Sequence, residues 1–120
     1  MAFRFRNFKV YQDAKSLHKE IVFLLSKFSR SYYYLSDQIR RSSLSVILNI
    51  AEGSSKQSDK DFNRYIAIAL GSVDETVASL EVAFDLNIIT KAQFNYFENK
   101  YEIIAKQLGG FSKKLKNVSS

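Results

Sequence analysis

A chain of 120 residues is long enough for one domain with a real core and too short for two comfortable ones. The absence of cysteine excludes disulfides and thiolate metal sites, and the absence of proline together with 46% hydrophobic residues favours an all-α chain of long, uninterrupted helices. The net charge of +6 divides into +6 over residues 1–41, −3 over 42–81 and +3 over 82–120. Cations therefore gather toward both chain ends, where they attract polyanions such as RNA or DNA, although a charge of this size also serves solubility alone.

Met1–Arg6 is not followed by a signal-type apolar block, and no run approaches the roughly 18 apolar residues of a membrane span. A cytoplasmic protein with no membrane partner is expected. From Phe8 onward, Val10, Ala14, Leu17, Ile21, Leu24 and Phe28 recur at spacings of four and three, which predicts a first helix over about 8–29. Tyr32-Tyr33-Tyr34 breaks this pattern. It is expected to cover the end of the core, with base stacking as the alternative role for its rings. Ser36 or Asp37 then offers a cap for a second helix over about 37–54, which Gly53 and the polar run after it bring to an end.

The second helix is apolar on two flanks. At about 100° per residue, Ile39, Ser43, Val46 and Ile50 share one stripe, while Leu44, Leu48 and Ala51 fall roughly opposite and predict contact with another subunit. Arg41 and Glu52 share that outer stripe. An ion pair from Arg41 to Glu52 of a neighbouring copy and phosphate binding by Arg40 and Arg41 are equally good readings. Asn49 and Glu52 are expected to satisfy hydrogen bonds at the helix end or the interface.

Ser58 and Asp61 form a capping box at the start of a third helix, about 59–87, along which Phe62, Ile66, Ala69, Val73, Val77, Leu80 and Phe84 repeat. Gly71 in mid-span is expected to admit a close neighbour. Asn87-Ile88-Ile89 turns the chain. Thr90 and Gln93 form a second capping box, and the fourth helix, about 91–116, carries an apolar seam of Phe94, Phe97, Tyr101, Ile104, Leu108, Phe111 and Leu115. That seam keeps its register past Gly109-Gly110, so the helix is expected to continue through both glycines. Residues 1–6 and 117–120 lack a pattern and are expected to fray. Short connections between similar segments imply a single domain, an antiparallel up-and-down four-helix bundle.

Catalytic constellations are missing. His18 is the only histidine and has no Glu three residues before it, so a di-iron site is excluded, and His18 is expected to be a half-buried or surface residue. Asp59/Asp61 is explained by capping, and Asp74/Glu75 by an exposed helix face. No enzyme activity and no cofactor are expected. The candidate nucleic-acid-binding residues are Arg40, Arg41 and Lys56, with Arg4, Arg6, Lys9, Lys113, Lys114 and Lys116 adding charge; the candidate oligomer interface is Arg41, Leu44, Leu48, Ala51 and Glu52.

Gln38-Ile39-Arg40-Arg41-Ser42-Ser43, then Ser45-Val46, then Asn49-Ile50-Ala51-Glu52-Gly53, followed by Phe62 and Ala69-Leu70-Gly71-Ser72 with Glu75, resembles the four-helix bundle protein family associated with 23S ribosomal RNA intervening sequences. The resemblance covers nearly the whole chain and marks Gln38, Arg40, Arg41, Asn49, Glu52 and Gly53 as signature positions. It implies a bundle that assembles into a ring, typically a homopentamer, without established enzymatic activity. The family is similar to the accessory variability protein of diversity-generating retroelements, which implies rRNA or another nucleic acid, or a protein such as a reverse transcriptase, as a partner. A protein-interaction scaffold without nucleic-acid contact is the alternative. This chain departs from the family in its first loop, where Phe28-Ser29 and Tyr33-Tyr34-Leu35 replace the usual Phe-Pro and Tyr-Gly-Leu.

Overall fold

Four helices, α1 (Lys9–Leu25), α2 (Tyr33–Ser54), α3 (Asp59–Asp85) and α4 (Lys91–Ser119), form an all-α antiparallel bundle. The structure, a computed structural model, describes residues 2–119. Helices adjacent in sequence pack side by side and α1 also meets α4, whereas the diagonal pairs α1–α3 and α2–α4 make no close backbone contact among the described residues. The bundle is thus square in section, and its long dimension is 47 Å. One end, here the proximal end, collects the starts of α1 and α3 and the finishes of α2 and α4; the distal end collects the opposite termini.

The predicted stripes form the core. Val10, Ala14, Leu17, Ile21 and Leu24 of α1 meet Ile39, Val46 and Ile50 of α2, Phe62, Ile66, Ala69, Val73 and Leu80 of α3, and the α4 seam from Phe94 to Leu115. The Thr90/Gln93 capping box forms in full, and the Ser58/Asp61 one by its cap bond. The Ser58 hydroxyl accepts from the Asp61 amide at 3.1 Å, and Thr90 and Gln93 bond reciprocally at 2.8 and 3.1 Å. Between α3 and α4, Asn87 adopts a left-handed φ of 61°, the Asn87 amide reaches the Phe84 carbonyl and the Ile88 amide reaches the Ala83 carbonyl, both at 2.9 Å. These two bonds define a Schellman stop, in which asparagine takes the place usually held by glycine.

Several expectations are corrected. α2 begins at Tyr33, after a short turn at Arg30–Tyr32, and not at 37. The reason is that the core phase of Ile39, Ser42 and Val46 extends back to buried Leu35. Ser36 and Asp37 therefore lie inside the helix: Ser36 donates to the Tyr33 carbonyl at 3.2 Å, and Asp37 binds arginines. Tyr33 and Tyr34 do not cover the core but project outward, 62% and 63% exposed, from the first turn of α2. Residues 4–7 form a helical turn packed against α1 and α2, and α4 runs on to Ser119, where fraying was expected.

The two glycines singled out exchange roles. A Cβ on Gly71 would meet nothing within 4 Å, so no helix approaches there. A Cβ on Gly53 would lie 2.7 Å from Tyr65 Cβ and 2.9 Å from Phe62 Cδ1, so the close approach of α2 and α3 is at Gly53. No glycine has a positive φ, and Gly53 therefore acts through its missing side chain and not through backbone freedom.

Candidate nucleic-acid interface

The up-and-down path brings cations from distant parts of the sequence to the proximal end. Arg4, Arg6 and Lys9 precede or open α1, Lys56 follows α2, and Lys113, Lys114 and Lys116 lie on the last turns of α4. Lys60 and Arg64, on the first turns of α3, join them and were missed by the sequence reading, which saw in that stretch only the capping acids Asp59 and Asp61. The signal was present in the topology: an antiparallel bundle places odd-helix starts beside even-helix finishes.

These cations are not equally available. Arg4 Nε donates to the Ser54 carbonyl at 3.1 Å, and its guanidinium lies 5.5 Å from the Phe62 ring centre and 5.9 Å from that of Phe8. It thus closes one of the unpaired carbonyls at the end of α2. Lys9 pairs with Asp13 at 2.6 Å, an exposed contact one helical turn away, and this bond together with one from Gln107 holds the Asp13 carboxyl below the usual carboxylate range. Arg6 lies over Phe3, while Lys56 and Arg64 both lie over Tyr65, at 5.3, 5.0 and 4.8 Å from the ring centres. Lys113, Lys114 and Lys116 are exposed. The last turns of α4 are tied to α3 by a 2.5 Å hydrogen bond from Ser112 Oγ to Asn63 Oδ1.

Arg40 and Arg41 are not part of this cluster. Arg41 is thirteen residues before Ser54 on α2, about 20 Å away at about 1.5 Å per residue. Both arginines bind Asp37 of their own helix, Arg40 at 2.5 Å and Arg41 at 3.6 Å, and Arg40 also lies 5.9 Å from the Tyr33 ring centre. The Arg41 side chain remains 75% exposed. Leu44 and Leu48, 40% and 55% exposed, share its outer face, with exposed Glu52 and half-buried Ala51.

Residues 6–110 match the family of 23S rRNA-intervening sequence proteins. The chain belongs to that family. A solved structure of a protein of unknown function from the S23 ribosomal protein family of Bacteroides thetaiotaomicron is 30% identical, with a TM-score of 0.82 over 87% of this chain and 98% of the other. No curated protein matches the chain.

Three of the six signature positions of this family member, Gln38, Asn49 and Gly53, serve the α2–α3 seam. Gln38 donates to the Glu75 carboxylate, and Asn49 Nδ2 donates to the Ser45 carbonyl at 2.8 Å and to its hydroxyl at 3.0 Å. The Ser45 hydroxyl in turn meets that of Ser72 at 2.8 Å, and Thr76 donates to Ser42 at 2.8 Å. Short polar side chains that satisfy one another let two helices approach closely without burying an unpaired group. Gly53 completes the seam at its proximal end. Glu52, like Arg40 and Arg41, lies off the seam, and its side chain has no partner among the described residues.

His18 faces a second polar cluster inside the bundle. Its Nδ1 lies 2.7 Å from the Ser43 hydroxyl, which donates to the Arg40 carbonyl at 3.1 Å. The Tyr101 hydroxyl, from α4, is buried beside Ser43 without a well-formed hydrogen bond, and burial pushes its pKa strongly upward. Burial and, secondarily, the Arg40 charge hold the His18 imidazole below its ordinary value. Among the described residues, no three His, Asp or Glu side chains cluster as metal ligands.

Proposed function

We propose that this family member is a nonenzymatic homo-oligomeric bundle that binds RNA or DNA through its proximal end. The observation that carries this reading is the convergence there of exposed lysines from the end of α4 with Arg6, Lys56, Lys60 and Arg64. Among the described residues of these end turns the acids are Asp13, Glu52, Asp59 and Asp61, and Asp13 and Asp61 already engage Lys9 and Arg64. Phosphates are the chemistry such a surface recruits, through charge and release of counterions and without base reading. The 23S rRNA association of the family supports RNA as the first ligand to try. Arg40 and Arg41, turned toward Asp37 and the outer apolar face of α2, suit assembly better than phosphate binding.

The test is a titration of a labelled rRNA hairpin and an unrelated duplex at two salt concentrations, with light scattering on the same samples. Lys113→Ala/Lys114→Ala/Lys116→Ala is expected to weaken binding to both ligands and to lower the salt slope by about one for each phosphate that is no longer neutralised. Arg40→Ala/Arg41→Ala is expected to alter the assembled mass instead. Absence of binding by the native chain at low salt overturns the reading. In that event a protein-recruiting scaffold, with a partner such as a reverse transcriptase, becomes the better account; the exposed Leu44 and Leu48 favour it.

A further inference from the structure

Large aromatic rings stand in solvent at the distal end. Phe23, on the last turns of α1 and on the rim of a groove of about 700 Å³ between α1 and α4, is 69% exposed, and Tyr33 and Tyr34 on the first turn of α2 are nearly as bare. Phe23 already carries the Lys27 ammonium, 5.0 Å from its ring centre, and Tyr33 carries the Arg40 guanidinium at 5.9 Å on one side only. Among the described residues no cation lies over Tyr34, whose ring neighbour is half-buried Tyr32, tilted at 6.5 Å. Neither the Tyr33 nor the Tyr34 hydroxyl has a hydrogen-bond partner there, so the fold itself gives these two rings little to do.

The chain around them is cationic. From Ser26 to Ser36 it holds Lys27 and Arg30 and no acid, and the next carboxylate, Asp37, is engaged by Arg40 and Arg41. Arg30 is exposed three residues before Tyr33, without a side-chain partner among the described residues. Glu81 and Asp85 stand toward the same end on α3, so the net charge here is modest and the rings have to supply most of the affinity.

We propose that this tip binds an unpaired nucleic-acid strand, with successive bases stacked on Tyr33 and Tyr34 and their phosphates met by Arg30 and Lys27. A base on the open face of Tyr33 extends the stack that Arg40 begins. Adjacent residues of a helix point about 100° apart, so the two rings suit neighbouring bases of a strand that bends round the first turn of α2. Every base has a face to stack, whereas a duplex keeps its bases inside its own stack and offers these rings nothing. Two cations release few counterions, so binding here varies little with salt, unlike binding to the proximal surface. The tip adds a second contact and does not depend on the proximal one.

The test titrates short labelled oligouridylate and oligothymidylate strands, which tell RNA from DNA, beside an abasic strand of equal length that keeps the phosphates and lacks the bases, across a salt series. Tyr33→Ala/Tyr34→Ala is expected to weaken binding of the base-bearing strands by about tenfold for each ring lost and to bind the abasic strand as the native chain does. Tyr33→Phe/Tyr34→Phe is expected to keep the native affinity, and Tyr33→Leu/Tyr34→Leu to lose it, since leucine has bulk without a π-face. Both positions are exposed, and circular dichroism checks that each variant is folded. The stacking site is overturned if the alanine variant binds oligonucleotides as the native chain does, if the abasic strand weakens equally, if leucine serves as well as tyrosine, or if the native chain holds no single strand at low salt. A loss of assembled mass by the alanine variant in light scattering overturns it too, because the rings would then lie between copies. The proximal reading is judged separately, by the lysine triple variant on the duplex, which the tyrosine variants are expected to bind unchanged.

Discussion

The α2–α3 and α1–α4 seams are built from opposite materials. Across α2–α3, serine, threonine, asparagine and a glycine bring two long helices close enough for hydroxyls to meet at 2.8 Å. Across α1–α4, glutamate, tyrosine, glutamine and lysine reach over a gap that leaves cleft space. Small side chains fix the spacing of helices, whereas long ones tolerate it. The signature residues Gln38, Asn49 and Gly53 lie on the tight seam, where a change of one methyl group is felt.

The largest test of that contrast is Gly53→Val. Its branched side chain would collide with Tyr65 and Phe62, and a loss of about 3 kcal/mol is expected in denaturant unfolding. Thr76→Val keeps the volume but removes a fully buried hydroxyl bonded to Ser42, and a loss of about 1–2 kcal/mol is expected. Gly71→Ala, on an open stretch of α3, is expected to gain about 0.5–1 kcal/mol, so the two glycines respond with opposite signs.

The gentlest test uses acid. His18 binds its proton less readily folded than unfolded, so its contribution is full above the unfolded value of 6.5 and is lost as pH falls through 6.5 toward the lowered folded value. His18→Gln, which keeps a polar group beside Ser43, is expected to flatten the dependence of unfolding free energy on pH between about 7 and 5. An unchanged slope would mean that burial and the Arg40 charge do not keep the imidazole neutral.

The four helices and their buried stripes were legible because each repeats its apolar residues at helical spacing over many turns. Ends defined by capping boxes were legible for the same local reason. The start of α2 was not, since serine and aspartate resemble caps wherever they occur and only the burial of Leu35 shows that the helix has already begun. Gly71 and Gly53 are indistinguishable in sequence; what separates them is the neighbour each one meets. The outer stripe of Leu44 and Leu48 was readable from α2 alone. The α1–α4 groove was not, because Phe23, Tyr96 and Ile103 come from two helices more than sixty residues apart. The proximal cations likewise become one group only when the chain doubles back three times.

The looseness of the α1–α4 seam has a kinetic consequence. It is the one helix pair whose partners are remote in the chain, so the tight contacts of the bundle form between consecutive segments and little loop-closure entropy stands before them. Folding can start from the α2–α3 hairpin, add its outer helices in either order, and bring the first and last helices together at the end. Such a chain belongs with the fast folders, in microseconds to milliseconds, and spends little time with its apolar stripes uncovered.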